Sequence, residues 1–179
     1  METGIFLGMG VSTAEALLPA RILSERIGTT TTLIGLDRNP VAGHSPGRSF
    51  EPDTVFQGSR PDVLVIPGGF GSLVLARNQE VRNWLSGMVS EARAILTIST
   101  GSLLLASTGA LENKAVAGHW LTGGMMRRFG AQLSPRSVTT TGNIVSAAGS
   151  VVAQDAAERL CDMVLYGRPP TTRQRAFEG

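Results

Sequence analysis

The stretch Ala94 to Ala110, reading AILTISTGSLLLASTGA, leaves few folds open to this chain. A β-rich apolar run, Ala94 to Ile98, stops at Ser99, and a helix-like segment starts at once with Thr100-Gly101-Ser102-Leu103-Leu104-Leu105. A strand that turns directly into a helix lifts its turn residue out of the sheet. The side chain then stands at the positive helix N-terminus, beside backbone N–H groups with no partner in the helix. This is the geometry of a nucleophile elbow, although the glycine that precedes the serine in the G-x-S-x-G pattern is missing here. Taken alone, the segment equally fits an ordinary strand–helix turn.

The rest of the chain repeats the alternation of strand and helix. Ile5-Phe6-Leu7 reads as a short buried strand, and Ser12 to Ile27 as a helix with Ala14, Leu17, Leu18 and Ile22 on one face, extended by Leu23 and Ile27. Thr30 to Leu36 is a second strand. Residues 38–58, rich in Gly, Pro and Ser, form an irregular or short hairpin excursion that carries His44, read as a surface residue. Val63 to Ile66 is continuously apolar, as in the middle of a parallel sheet covered on both faces, and runs into Pro67-Gly68-Gly69-Phe70-Gly71.

From Glu80 to Arg93, Val81, Trp84, Leu85, Met88, Val89 and Ala92 keep the helical period. After the elbow, Gly109 reads as a helix stop, and Leu121 to Phe129 as another helix. Ser137 to Ser146 reads as a β-hairpin about Gly142-Asn143. The final helix, Val151 to Tyr166, buries Ala153, Ala156, Ala157, Leu160, Cys161 and Val164. Such alternation predicts a doubly wound, mostly parallel α/β sheet with helices on both faces, which binds ligands at the carboxyl ends of its strands. One domain is expected over residues 1–167, followed by a C-terminal tail, 168–179.

Composition narrows the function classes. The net charge is only +2 and the arginines are scattered, with Arg127-Arg128 the one internal doublet, so no nucleic-acid partner is expected. A single cysteine, Cys161, excludes an internal disulfide framework and suits a reducing compartment. No apolar run reaches membrane-spanning length and no signal peptide is read. The expected location is cytoplasmic, with no membrane contact. No cluster has metal-ligand spacing and no phosphate loop opens a helix, so neither a metal nor a cofactor is expected.

Three separated motifs carry a resemblance. Residues 62–69 read DVLVIPGG, 98–109 read ISTGSLLLASTG and 117–120 read AGHW. Together they resemble the ThiJ/PfpI family of the class I glutamine amidotransferase-like superfamily. Within it they look most like the branch of isonitrile hydratase and the sensor domains of AraC-type regulators, which reads C-T-G-S-L-L-L-A at the elbow and T-H-W downstream. Gly142 to Val145, Ala148-Gly149, Asp155 and Tyr166 with Pro169-Pro170 also fit. The resemblance implies a flavodoxin-like fold, a homodimer and a small-molecule substrate.

Several positions depart from that pattern. Ser99 stands where the family has its nucleophilic cysteine: different chemistry, an inactive natural variant and an engineered serine all give this reading. Glu15 stands where the hydratase branch has aspartate, and Leu18 and Arg21 replace a glycine and an acidic residue beside Pro19. Each candidate residue also has a structural reading. Ser12-Thr13-Ala14-Glu15 fits a capping box, in which Glu15 reaches back to the Ser12 backbone; the resemblance instead directs the carboxyl toward Ser99 as general acid/base, within hydrogen-bond reach of its hydroxyl directly or through one water. His119 is read as a catalytic or pocket residue beside Trp120. Gly68, Gly69, Gly101 and Trp120 are assigned to substrate and oxyanion binding. The Gly69 and Thr100 N–H groups would form the oxyanion pair, with the Thr100 hydroxyl as a further donor. The resulting expectation is a cofactor-independent lyase or hydratase. A non-catalytic sensor-like binder and a glyoxalase or repair enzyme that has lost its cysteine are the rivals.

Overall fold

The computed structural model describes residues 1–167, and the expected tail from Arg168 onward lies outside them. In chain order the elements are β1 (Glu2–Phe6), α1 (Thr13–Ile27), β2 (Thr30–Gly35), β3 (Val41–Ala42), β4 (Ser49–Phe50), β5 (Thr54–Val55) and β6 (Val63–Ile66). There follow α2 (Gly71–Leu75), α3 (Gln79–Glu91), β7 (Ala94–Ile98), α4 (Gly101–Ala106), β8 (Ala115–Val116), α5 (Gly123–Arg128) and β9 (Gln132–Leu133). The chain closes with β10 (Val138–Thr141), β11 (Ile144–Ala147) and α6 (Ala153–Tyr166).

Seven strands form the main sheet in the order β10-β11-β7-β6-β1-β2-β5. Every pairing is parallel except the β10–β11 hairpin, which turns at Gly142-Asn143 as its sequence requires. The expected α/β fold is therefore present: a mostly parallel sheet between two helical layers.

Period-two alternation sorts the strand side chains onto the two faces. Ile5, Val63, Val65, Leu96, Ile98 and Val145 join the core under α1 and α6. On the other face Phe6, Leu64, Ile66 and Ile95 meet Trp84, Leu85, Met88 and Leu104 from α3 and α4. β6 and β7 are buried along their whole length, which is why neither shows a polar alternation in sequence.

Helix α1 corrects one expectation. Ala14 and Leu17 face water, and the buried side is Glu15, Ala16, Pro19, Ala20, Ile22 and Leu23. Helices α1 and α6 are in contact, and Ala16 and Ala20 of the one and Ala153, Ala156 and Ala157 of the other lie in the same core, together with Ile22, Leu23 and Leu160.

Shorter elements differ as well. The expected helix at 121–129 is a 3-10 turn, Trp120–Thr122, followed by α5. A second 3-10 turn, Ser150–Val152, precedes α6. Helix α4 ends at Ala106, and Gly109, at φ 86°, belongs to the turns that follow it. The excursion at 38–58 holds the β3–β4 hairpin and the edge strand β5. Strands β8 and β9 and the short helix α2 carry too few residues to show a period.

Candidate active site

From β1 the chain steps to β2 and β5 on one side, then crosses to β6 on the other side of β1. This reversal opens a crevice beyond the carboxyl ends of β1 and β6, the usual ligand site of an open α/β sheet. Four adjacent parallel strands deliver residues to it: Gly10 and Ser12 after β1, Gly68 to Phe70 after β6, Ser99 and Thr100 after β7, and Gly149 and Ser150 after β11. The resulting cavity of about 570 Å³ is walled on its outer side by Leu73, Leu121 and Met125.

Ser99 sits at the elbow as expected. Its φ of 57° is left-handed, a conformation few non-glycine residues adopt. The turn is held from both sides, because Ser99 N–H donates to Ala147 O at 2.9 Å and Ser99 O accepts from His119 N–H at 3.1 Å. Beneath it lies a buried hydroxyl cluster. Thr97 Oγ1 lies 2.8 Å from Ser102 Oγ and donates to Ser146 Oγ at 2.9 Å, while Ser102 Oγ donates to Ala117 O at 2.7 Å. The β7–α4 corner is thereby tied to β11 and to the strand end that leads to His119.

Glu15 is only 5% exposed. Its carboxyl does not close a capping box: Oε2 accepts from Gly68 N–H at 2.8 Å, and the Ser12 N–H is satisfied by Gly68 O at 3.0 Å. Only the Ser12 half of the box remains, a long 3.4 Å bond from Glu15 N–H. Pro19, four residues on, cannot donate to the Glu15 carbonyl, so the helix is loosened where it presents this side chain.

Burial pushes the Glu15 pKa up from its usual value. The Gly68 N–H, the imidazoles of His119 and His44 and the Ser150 N–H pull the other way without reversing it.

Glu15 and Ser99 converge on Gly68 without a direct hydrogen bond between them. A Cβ at Gly68 would lie 2.7 Å from Glu15 Oε2 and 3.1 Å from Ser99 Oγ. Glycine at 68 is thus the condition for both side chains to face the same small volume.

The oxyanion assignment also changes. Gly69 N–H donates to Thr100 Oγ1 at 2.9 Å, and that hydroxyl donates back to Gly69 O at 3.0 Å. This pair locks the β6 loop to the elbow, so the Gly69 N–H is already engaged. Among the described residues, no acceptor meets the N–H groups of Thr100 and Gly101. Gly101 itself lies outside the cavity lining, and its missing side chain lets α4 start against the Ile66 carbonyl.

His119 lines the cavity, with its Nδ1 accepting from Leu121 N–H at 3.3 Å. A neutral ring held this way carries its proton on Nε2. Trp120 is 76% exposed, stacks on His119 and does not line the cavity, contrary to its assignment.

His44, read as a surface residue, is exposed and also lines the cavity. Its N–H donates to Val11 O at 2.9 Å, and the Val11–Gly43 bridge carries the excursion over the crevice. The available signal was topological: an insertion after β2, the neighbour of β1, opens on the same edge of the sheet. Phe70, Leu73, Leu121, Met125, Gly149 and Ser150 were missed for want of any pattern.

Comparison with known proteins places this geometry. A family model described as the DJ-1/PfpI family matches residues 2–162. Isonitrile hydratase of Pseudomonas putida is 26% identical over 156 residues, which span 87% of this chain and 68% of that protein. A ThiJ/PfpI domain protein from Brachyspira murdochii superposes with a TM-score of 0.82 at 20% identity, over 93% of this chain and 96% of that one. DJ-1beta of Drosophila melanogaster gives 0.79 at 23% identity, over 92% and 91%. The two superpositions speak for the fold, and the sequence match runs from the first strand into the last helix. On that match, the chain belongs to the DJ-1/PfpI family.

Proposed function

We propose that this chain hydrates a small, largely apolar molecule without a cofactor, an isonitrile being the best fit, with Glu15 as general acid and base. The observation that carries the reading is a buried carboxyl with a raised pKa, facing an apolar-walled cavity beside the elbow. A carboxylic acid that burial makes hold its proton to higher pH than usual is suited to protonating a weak carbon base. The similarity to isonitrile hydratase supports this choice of substrate.

The neutral Glu15 acid gives its proton to the terminal carbon of R–N≡C. Water then adds its oxygen to that carbon and returns a proton to the Glu15 carboxylate. The hydroxyl proton of the resulting R–N=CH–OH shifts to nitrogen, leaving the formamide R–NH–CHO. The sum is one water added and Glu15 restored. The Ser99 hydroxyl and the Thr100 N–H hold the incoming oxygen in this scheme. A covalent Ser99 step would need a base for a tightly held hydroxyl proton, and no hydrogen bond to one is formed.

That same lack of a base favours the second reading, a binder without turnover. Glyoxalase or repair chemistry depends in this family on the cysteine that Ser99 replaces, and it fits less well.

Glu15→Gln separates the two readings. The glutamine oxygen can keep the Gly68 N–H bond, so ligand affinity should persist while formamide production falls roughly 10²–10⁴-fold. The measurement is turnover of a panel of small isonitriles together with calorimetric binding to both proteins. Full activity in the variant would overturn the role of Glu15. Binding to both with turnover in neither would overturn the enzyme reading.

A further inference from the structure

A second cavity, of about 420 Å³, adjoins the first across Leu73 and Met125, which line both. Its floor is apolar, with buried Ala76 and Leu103 and half-buried Phe129. Val74 lines it while 64% exposed. Arg77, just beyond α2, and Arg128, the last residue of α5, complete the lining. Among the described residues, no acid lines this groove and neither guanidinium has an ion-pair partner. The first cavity has the opposite character: Glu15 is its one acid, and neither Arg nor Lys lines it.

An isolated surface arginine keeps its head in water and lays its stem over apolar surface, which needs no ligand. Two of them, brought to one apolar groove from just beyond α2 and from the end of α5, put two like charges on that groove, at a cost in repulsion. An anion between them relieves that repulsion and can take charge-assisted hydrogen bonds from both. The saddle between the cavities is suited to a chain passing over it, since the Met125 side chain is unbranched and adapts its shape.

We infer that the groove receives the far end of an elongated substrate: an uncharged reactive head reaches Glu15, an apolar body crosses Leu73 and Met125, and a carboxylate or comparable monoanion ends between Arg77 and Arg128. The head group rests on the hydration reading above. The preference of the groove for an apolar anion stands without it.

Titration of the full chain, carbon-13 labelled at its methyl groups, with octanoate and with octanamide tests the groove by NMR. Octanoate should bind about fivefold more tightly in low salt, move the methyl resonances of Leu73, Leu103 and Met125, and lose its advantage as salt rises. The double variant Arg77→Gln, Arg128→Gln should bind the two probes equally. Both side chains are exposed, so the fold is not at stake. The double variant Arg77→Glu, Arg128→Glu should reverse the order in favour of octylammonium. Equal binding of the two probes to the unaltered chain, a preference that survives the double variant, or shifts confined to other methyls would overturn the inference. The titration needs no turnover, so such a result leaves the hydration reading intact. A groove that behaves as stated, in a chain inert toward every isonitrile, overturns the hydration reading alone.

Discussion

At position 15, burial and hydrogen bonding pull a single proton in opposite directions, and burial is the larger effect. The sign of the consequence can be worked out. A carboxyl whose pKa is raised by folding binds its proton more tightly in the folded chain than in the unfolded one. Its contribution to stability is fully present below the unfolded value, near 4.5, and is lost as pH rises through the folded value. Glu15→Gln does not titrate. Urea midpoints of the two proteins should therefore diverge from about pH 4.5 upward, the wild type losing ground to the variant. A gap that stays constant with pH would mean that burial leaves the carboxyl unperturbed. Sequence could place Glu15 at the start of α1, but the capping-box partner it offered on the Ser12 backbone is not used. The carboxyl goes to the Gly68 backbone, a group 53 positions away that no local pattern can announce.

The β7–α4 corner is the element on which the site depends. Ser102 lies on the first turn of α4, entirely buried, and links Thr97 of β7 to Ala117 O beside β8. Removing its hydroxyl in Ser102→Ala leaves a buried carbonyl without its donor, which should cost about 1–3 kcal/mol. Chemical denaturation measures that loss, and a cost below about 0.5 kcal/mol would show that the cluster does not stabilise the corner. The strand, the turn and the helix start were all legible at this corner, because a saturated apolar run meeting a helix-forming run has one compact solution. The cluster beneath was not, since threonine and serine in a strand fit either face equally well. The α1 face was misread for a related reason. Periodicity weights large apolar residues, whereas the buried side of α1 carries Ala16 and Ala20 together with Glu15 and Pro19.

Across the whole molecule, the cavity is shared by segments from Gly10 to Ser150. Long-range parallel pairing is slow to form, because loop-closure entropy is lost before the contacts repay it. After dilution from denaturant, ligand binding should return with the phase that completes the sheet, later than far-ultraviolet helical signal. Recovery of binding in step with the earliest helical signal would show that a subset of segments suffices. The β10–β11 hairpin gives this a second meaning. Gly149 and Ser150 follow β11 directly, so one wall of the crevice is made only after every other segment that lines it has been joined. A nascent chain holds Glu15 and Ser99 long before it holds a pocket for them, and the acid and the hydroxyl share one cavity only once the sheet has closed.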